Sequence, residues 1–184
     1  FTGSTGAGIS VSEAAATTVK RVTLELGGKS ANVALEDADP TLVAKKAIGA
    51  CHQNSGQTCS ALTRLIIPES MSDEVYEIIA EKNNSYTVGD PLEESTRCGP
   101  MVSLRQQKSV SKYIESGINE GATLISGGLG MPEGISKGYY VKPTIFANVS
   151  PDMKIWKEEI FGPVLVITTY KSEEEALKLA NDSI

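Results

Sequence analysis

With 184 residues, 40% of them hydrophobic and 22% charged, the chain has the size and composition of a globular protein built on one domain, or on one domain and a piece of a second. No apolar run approaches the roughly 18 residues that a membrane span needs, and a net charge of −6 without a basic stripe argues against nucleic acid as a partner. Three cysteines, Cys51, Cys59 and Cys98, and a single histidine show no zinc spacing, so no metal site is expected and a reducing, cytoplasmic compartment fits best.

The chain opens on Phe1-Thr2-Gly3, which reads as a strand already ending, with no signal-peptide pattern. Residues 4 to 18 read as a helix with Ser4 or Thr5 as N-cap and with Gly6 and Gly8 in its first turns. Free N–H groups, the helix dipole and the close approach that glycine allows suit an anion such as a dinucleotide pyrophosphate. The spacing Gly3-x-x-Gly6-x-Gly8 is not the usual dinucleotide fingerprint, however, and taken alone it favours a plain capped helix.

Val22-Thr23-Leu24-Glu25-Leu26 alternates as a strand that Gly27-Gly28 breaks, which leaves Glu25 near a strand end, where a glutamate is usually solvated. Asn32 to Leu35 is a second short strand. Asp39 as N-cap and Pro40 at the first helical position start a helix running to about residue 52. Cys51 falls on its apolar stretch and is expected to pack, whereas His52 is expected to cap the helix end or face solvent.

That helix delivers the chain into Gln53-Asn54-Ser55-Gly56-Gln57-Thr58-Cys59-Ser60, a polar loop ending in a cysteine. A thiolate held near backbone N–H dipoles is a strong nucleophile, and Cys59 is read as one. From the cysteine alone, a buried structural thiol would be the better choice.

Arg64 to Pro68 is an apolar strand, and residues 70 to 84 form an amphipathic helix with Val75, Tyr76, Ile79 and Ala80 inward. Strand followed by helix is the pattern of a parallel α/β sheet. A turn at 89 to 92 leads into an expected surface loop containing Cys98. A helix at 104 to 121, a strand at 123 to 125 and a glycine-rich connection at 127 to 138 follow. Tyr139 to Phe146 is extended, with Pro143 arguing for an edge or a bend. One helical turn at 153 to 157, in which Trp156 is a packing residue, precedes Glu158-Glu159-Ile160-Phe161-Gly162-Pro163. A buried strand covers 164 to 169, and Ser172 with Glu175 forms a capping box for a last helix. The chain then stops at Ile184 without a closing element, so it is expected to be a piece of a longer protein.

Four segments carry a resemblance: Phe1-Thr2-Gly3-Ser4-Thr5, Leu24-Glu25-Leu26-Gly27-Gly28-Lys29-Ser30, Gly56-Gln57-Thr58-Cys59 and Glu158-Glu159-Ile160-Phe161-Gly162-Pro163-Val164. In this order they resemble the signature segments of the NAD(P)-dependent aldehyde dehydrogenase superfamily. The resemblance implies an α/β fold with a largely parallel, helix-flanked sheet. Residues 1–26 would be the tail of a coenzyme-binding domain, and residues 27–184 a catalytic domain incomplete at its C-terminus.

It further implies NAD or NADP as cofactor, a small-molecule aldehyde as substrate and a homodimer or homotetramer as the full-length assembly. Cys59 would attack the aldehyde, and its backbone N–H would help hold the oxyanion. Glu25, its pKa raised by burial, would activate the water that hydrolyses the thioester. Gly3 and Ser4 would lie against the coenzyme, Glu159 would bind the nicotinamide ribose hydroxyls and Phe161 would pack beside the nicotinamide. Without the family's motif, Glu158-Glu159 would read as an exposed acidic pair and Phe161 as core.

The chain departs from the family in having Ala31 where proline is common, with a small local effect expected. The family's second oxyanion donor, an asparagine, would lie upstream of Phe1, so these residues alone are expected to bind coenzyme poorly and turn over slowly or not at all. Three alternatives stand beside this reading: a CoA-acylating aldehyde dehydrogenase, a cysteine hydrolase or acyl-transferase, and a non-catalytic interaction domain. The identity of the aldehyde is not written in the sequence.

Overall fold

The computed structural model describes residues 1–183. Two sheets organise it: β1 (Thr2–Gly3) pairs in parallel with β2 (Glu25–Leu26), and a five-stranded sheet follows in the order β3-β4-β7-β6-β5. Its strands are β3 (Ala31–Val33), β4 (Arg64–Pro68), β5 (Thr123–Ser126), β6 (Thr144–Ala147) and β7 (Val164–Tyr170). All neighbours in it run parallel except β5, which is antiparallel to β6.

A parallel sheet has to be covered on both faces, and the two-residue period of its strands sorts side chains between them. Leu65, Ile67, Ile145, Leu165 and Ile167 face α2 (Pro40–His52) and α3 (Ser72–Asn84), where they meet Ala44, Ala47, Ile48, Val75 and Ile79. Ile66, Phe146, Val164 and Val166 face the other layer, made by α4 (Leu104–Asn119), α5 (Lys154–Lys157) and α6 (Glu173–Asn181). The remaining helix, α1 (Thr5–Ala16), follows β1 and buries only Gly8. Side-chain caps set the helix starts: Ser4, Asp39, Ser103 and Ser172 each accept from a backbone N–H three residues on.

Several expectations are corrected. The strand expected at 22 to 26 pairs only at Glu25 and Leu26. Pro143 stands just outside β6, which lies between β7 and β5, so the proline marks no edge. The segment expected as a surface loop is largely exposed from 90 to 97, but Cys98 within it bridges to Val88 and is buried, as is Met101. His52 neither caps nor faces solvent. It continues the buried face of Ile48 on α2, lies edge-on to Tyr86 at 5.4 Å between ring centroids, and has neither ring nitrogen hydrogen-bonded among the described residues. Burial pulls its pKa down to about 4, which keeps the ring neutral.

Arg64, buried at the start of β4, ties the layers together. Its Nε donates to Lys29 O at 2.7 Å, Nη1 to Leu179 O at 2.9 Å and Asp182 O at 3.1 Å, and Nη2 to Ala180 O at 2.8 Å. The guanidinium lies 4.6 Å from the centre of the Trp156 ring, whose Nε1 donates to Asp182 Oδ2 at 3.1 Å. One rigid fork thus caps the carbonyl end of α6 and fastens it to the segment entering β3. Arg64→Met should leave these carbonyls, two of them in buried bonds, without their donor and cost about 3 kcal/mol or more of stability in urea unfolding. Arg64→Lys should recover only part of that loss, and a methionine variant within about 1 kcal/mol of the wild type would contradict this account.

Candidate active site

The loop expected to carry the nucleophile is built on unusual backbone. After α2, the residues Asn54, Ser55 and Gly56 take φ values of 50°, 57° and 71°, three left-handed positions in succession of which only the last is glycine. Such strain persists only where neighbours over-determine it. Here Asn54 Nδ2 donates to Gln57 O at 3.1 Å and Ser55 Oγ to Gly99 O at 3.0 Å. The Gln57 side chain donates to Pro100 O at 3.3 Å and accepts from Val102 N at 2.8 Å. At Gly56, any Cβ would overlap the Gly162 carbonyl, so the loop rests directly on the backbone of the Glu159-to-Pro163 segment.

Cys59 emerges from this loop exposed, while Cys51 and Cys98 are buried. Burial pushes the Cys51 thiol up to about 12 and raises that of Cys98. Of the three cysteines, Cys59 alone is placed to meet a solute.

Cys59 opens into a cleft of about 340 Å³ that Glu25, Gly3, Ser4, Glu159 and Phe161 also line. All six residues singled out in the sequence therefore share one cavity. The β1–β2 ladder does much of this, pairing Thr2 with Glu25 and Gly3 with Leu26. Glu25 itself is exposed rather than buried as its expected role required, because a ladder of two residues a strand covers little of it. Phe161 is 37% exposed and also left-handed, at φ 57°. Gln106, Ser109 and Tyr113 line the far wall from one face of α4. Their i, i+3, i+7 spacing could have marked a shared polar face, though nothing local says that it meets this cleft.

The two glycines read only as a strand break form a seat. A Cβ at Gly27 would overlap the Glu159 carboxylate, so that carboxylate packs directly against the glycine backbone. Burial raises the pKa of Glu159, while the Gly28 N–H and the Lys29 charge pull it the other way. Lys29 is buried with its Nζ unpaired among the described residues, and desolvation brings the amine down to about 8. A second hollow of about 310 Å³ shares Ser4, Gly27, Tyr113 and Glu159 with the cleft and reaches Thr5 and Gly6 at the start of α1. Among the described residues no cluster of His, Cys, Asp or Glu could hold a metal ion, and no helix is long and apolar enough to cross a membrane.

The sequence model of the Aldehyde dehydrogenase family matches residues 1–184. The chain is 50% identical over 183 residues to 3-succinoylsemialdehyde-pyridine dehydrogenase of a Pseudomonas species, covering all of this chain and 38% of that protein. It is 45% identical to the peroxisomal aminoaldehyde dehydrogenase 2 of Pisum sativum, covering 36% of it. Among solved structures, it is similar to aldehyde dehydrogenase C of Pseudomonas syringae, a cysteine-to-alanine variant complexed with NAD+ and octanal, at TM-score 0.97 and 45% identity. The aldehyde dehydrogenase of Mycobacterium tuberculosis complexed with NAD+ matches at TM-score 0.96 and 43% identity. All of this chain and 38% of each of those two chains is covered, so the sequence spans little more than a third of these relatives.

Lys29 gives the site a testable electrostatic signature. Its ordinary pKa of 10.5 falls to about 8 on folding, so the unfolded chain holds that proton more tightly. Below about pH 8 the buried charge costs on the order of 3 kcal/mol, and the cost fades as pH rises toward 10.5. Lys29→Met should therefore be more stable than the wild type in urea unfolding at pH 7, with the gap closing between pH 8 and 10.5. A gap that does not change with pH would rule this out.

Proposed function

Since the chain belongs to the aldehyde dehydrogenase family, we propose that it supplies the reacting cysteine and most of the described cleft of an enzyme that oxidises an aldehyde to a carboxylic acid with NAD(P). The observation that carries this reading is the single cavity in which an exposed Cys59 meets Glu25 and Glu159. Residues 1–26 are assigned to the coenzyme-binding domain and residues 27–184 to the catalytic domain, a division supported by the break between the β1–β2 ladder and the five-stranded sheet.

The residues present fit the nicotinamide half of a dinucleotide. The start of α1 offers N–H groups at Thr5 and Gly6 with open space before Gly6, and Glu159 offers a seated carboxylate for ribose hydroxyls. Gly3 and Ser4 would border that group, with Phe161 beside its ring. When bound there, it supplies the acceptor for the two electrons and hydrogen that leave the substrate carbon.

The chain's own residues do the rest. The Cys59 thiolate attacks the aldehyde carbon, the C=O π pair moves to oxygen, and a thiohemiacetal forms whose oxyanion the Cys59 N–H helps hold. After oxidation the carbon is a thioester. Glu25 takes a proton from water, the resulting hydroxide adds to the thioester carbon, and the carboxylic acid leaves as the Cys59 thiolate is restored.

NAD rather than NADP is supported by the relatives complexed with NAD+. The relatives' names differ in their aldehydes, from an aminoaldehyde to a succinoylsemialdehyde, so the substrate is assigned only as a small aldehyde. A homodimer or homotetramer and a cytoplasmic location complete the reading, the latter supported by three unpaired thiols.

In the full-length gene product, Cys59→Ser should abolish aldehyde-dependent NADH production. Glu25→Gln should leave a first-turnover burst of NADH but slow the steady state on the order of 10²-fold. Iodoacetamide should label Cys59 ahead of Cys51 and Cys98. Undiminished NADH formation by the serine variant would refute the assignment, and ester cleavage indifferent to NAD without any NADH formation would favour a cysteine hydrolase.

A further inference from the structure

Gln106 occupies the third position of α4, where Ser103 as N-cap accepts from its backbone N–H at 3.2 Å. Ser-x-x-Gln is a capping-box pattern, in which the glutamine side chain turns back to the N–H of the N-cap. Here it does something else. Its Nε2 donates to Ile160 O at 3.2 Å and to Phe161 O at 2.9 Å, both in the segment that follows α5. Two successive carbonyls reach one amide group where Phe161 sits in the left-handed region at φ 57°, a conformation that carries strain for an aromatic residue. The next residue, Gly162, is wedged between Val110 of the same helix and the Gly56 backbone, since a Cβ on Gly162 would overlap Val110 and one on Gly56 would overlap Gly162. The Phe161 ring, by contrast, is 37% exposed and lines the cleft with Gln106 and Cys59.

We propose that Gln106 is a positioning residue: its side-chain amide holds the Phe161 backbone in the left-handed conformation and thereby aims the ring into the cleft where a nicotinamide would lie. The functional half of this proposal rests on the dehydrogenase reading given above, while the structural half does not. A carboxamide suits the task because both of its N–H bonds can be spent on carbonyls. Glutamate has almost the same shape and offers only acceptors at neutral pH, so it would turn the clamp into a repulsion while keeping a residue favoured early in a helix.

The test uses Gln106→Glu and Gln106→Met, the second removing the donor without adding charge. In the full-length gene product labelled with 4-fluorophenylalanine, the Phe161 resonance is identified by its loss in Phe161→Leu and that of Phe146 by its loss in Phe146→Leu. Both Gln106 variants should shift or broaden the Phe161 signal and leave that of buried Phe146 unchanged. In the full-length gene product they should lower kcat/KM for NAD on the order of 10-fold or more, while Cys59 alkylation stays within about twofold of the wild type. In a Phe161→Leu background, Gln106→Glu should add no further loss, because its effect runs through Phe161. An unchanged Phe161 resonance, or an undiminished effect in that background, overturns the proposal. If the wild type forms no NADH from any aldehyde, the dehydrogenase reading fails instead, and the fluorine spectrum still decides whether Gln106 holds Phe161.

Discussion

The contact on which the site depends is between two stretches of bare backbone, Gly56 lying on Gly162. It joins the loop that presents Cys59 to the segment that presents Glu159 and Phe161, two stretches about a hundred positions apart in the chain. A side chain at Gly56 would push these apart by the width of a methyl group at least, and cavities in which reacting groups must meet do not tolerate such shifts. Gly162 is in turn trapped against Val110, so α4 sets the position of both loops at once. The strained φ values at Asn54, Ser55 and Phe161 lie on either side of this contact. Strain held by close packing on both sides of a cleft is what a pre-shaped site requires.

The topology explains where that contact can be made. The Gly27-Gly28 seat, the Cys59 loop and the Glu159-to-Pro163 segment directly precede β3, β4 and β7, three strands that run parallel and adjacent. The cleft therefore lies at the amino ends of the large sheet, opposite to the usual carboxyl-end rule for parallel α/β sheets. The rule is kept by the small sheet. The carboxyl ends of β1 and β2 bring Gly3, Ser4 and Gly27 to the same cavity, and β1 leads straight into the capped start of α1. The cleft thus takes Gly3 and Ser4 from the small sheet and the Cys59 loop from the large one.

What was legible in the sequence follows the range of each interaction. β4, α2, α5 and the Asp39 and Ser172 caps were readable because apolar runs and capping chemistry are local. The six residues that share the cleft were singled out through short motifs, not through any pattern of burial, and within these residues Glu25 is exposed where burial was expected. His52 and Cys98 were misplaced because their burial comes from Tyr86 and Val88, partners that no periodicity announces. Gln106 carried a local signal, the capping box, whose side chain was diverted by a tertiary contact. Gly27 and Gly28 carried one as well, but a glycine pair reads equally as a turn or as a seat for another side chain.

Two buried cations a few residues from the cleft show how differently charge can be accommodated. Arg64 spends its donors on four carbonyls and lies over an indole, so its burial fastens the fold. Lys29, whose carbonyl is one of those four, has no such partner among the described residues, and an ammonium ion without hydrogen bonds is among the costlier things a core can hold. Its attraction to Glu159 offsets part of that cost. The same attraction works on Glu159, whose own burial favours the neutral acid and whose proposed task requires the carboxylate. Replacing Lys29 by an apolar residue would relieve the desolvation of one group and remove the stabilisation of the other. The two burials therefore bear on each other, while each group's pKa is set first by its own desolvation, beside the Cys59 loop.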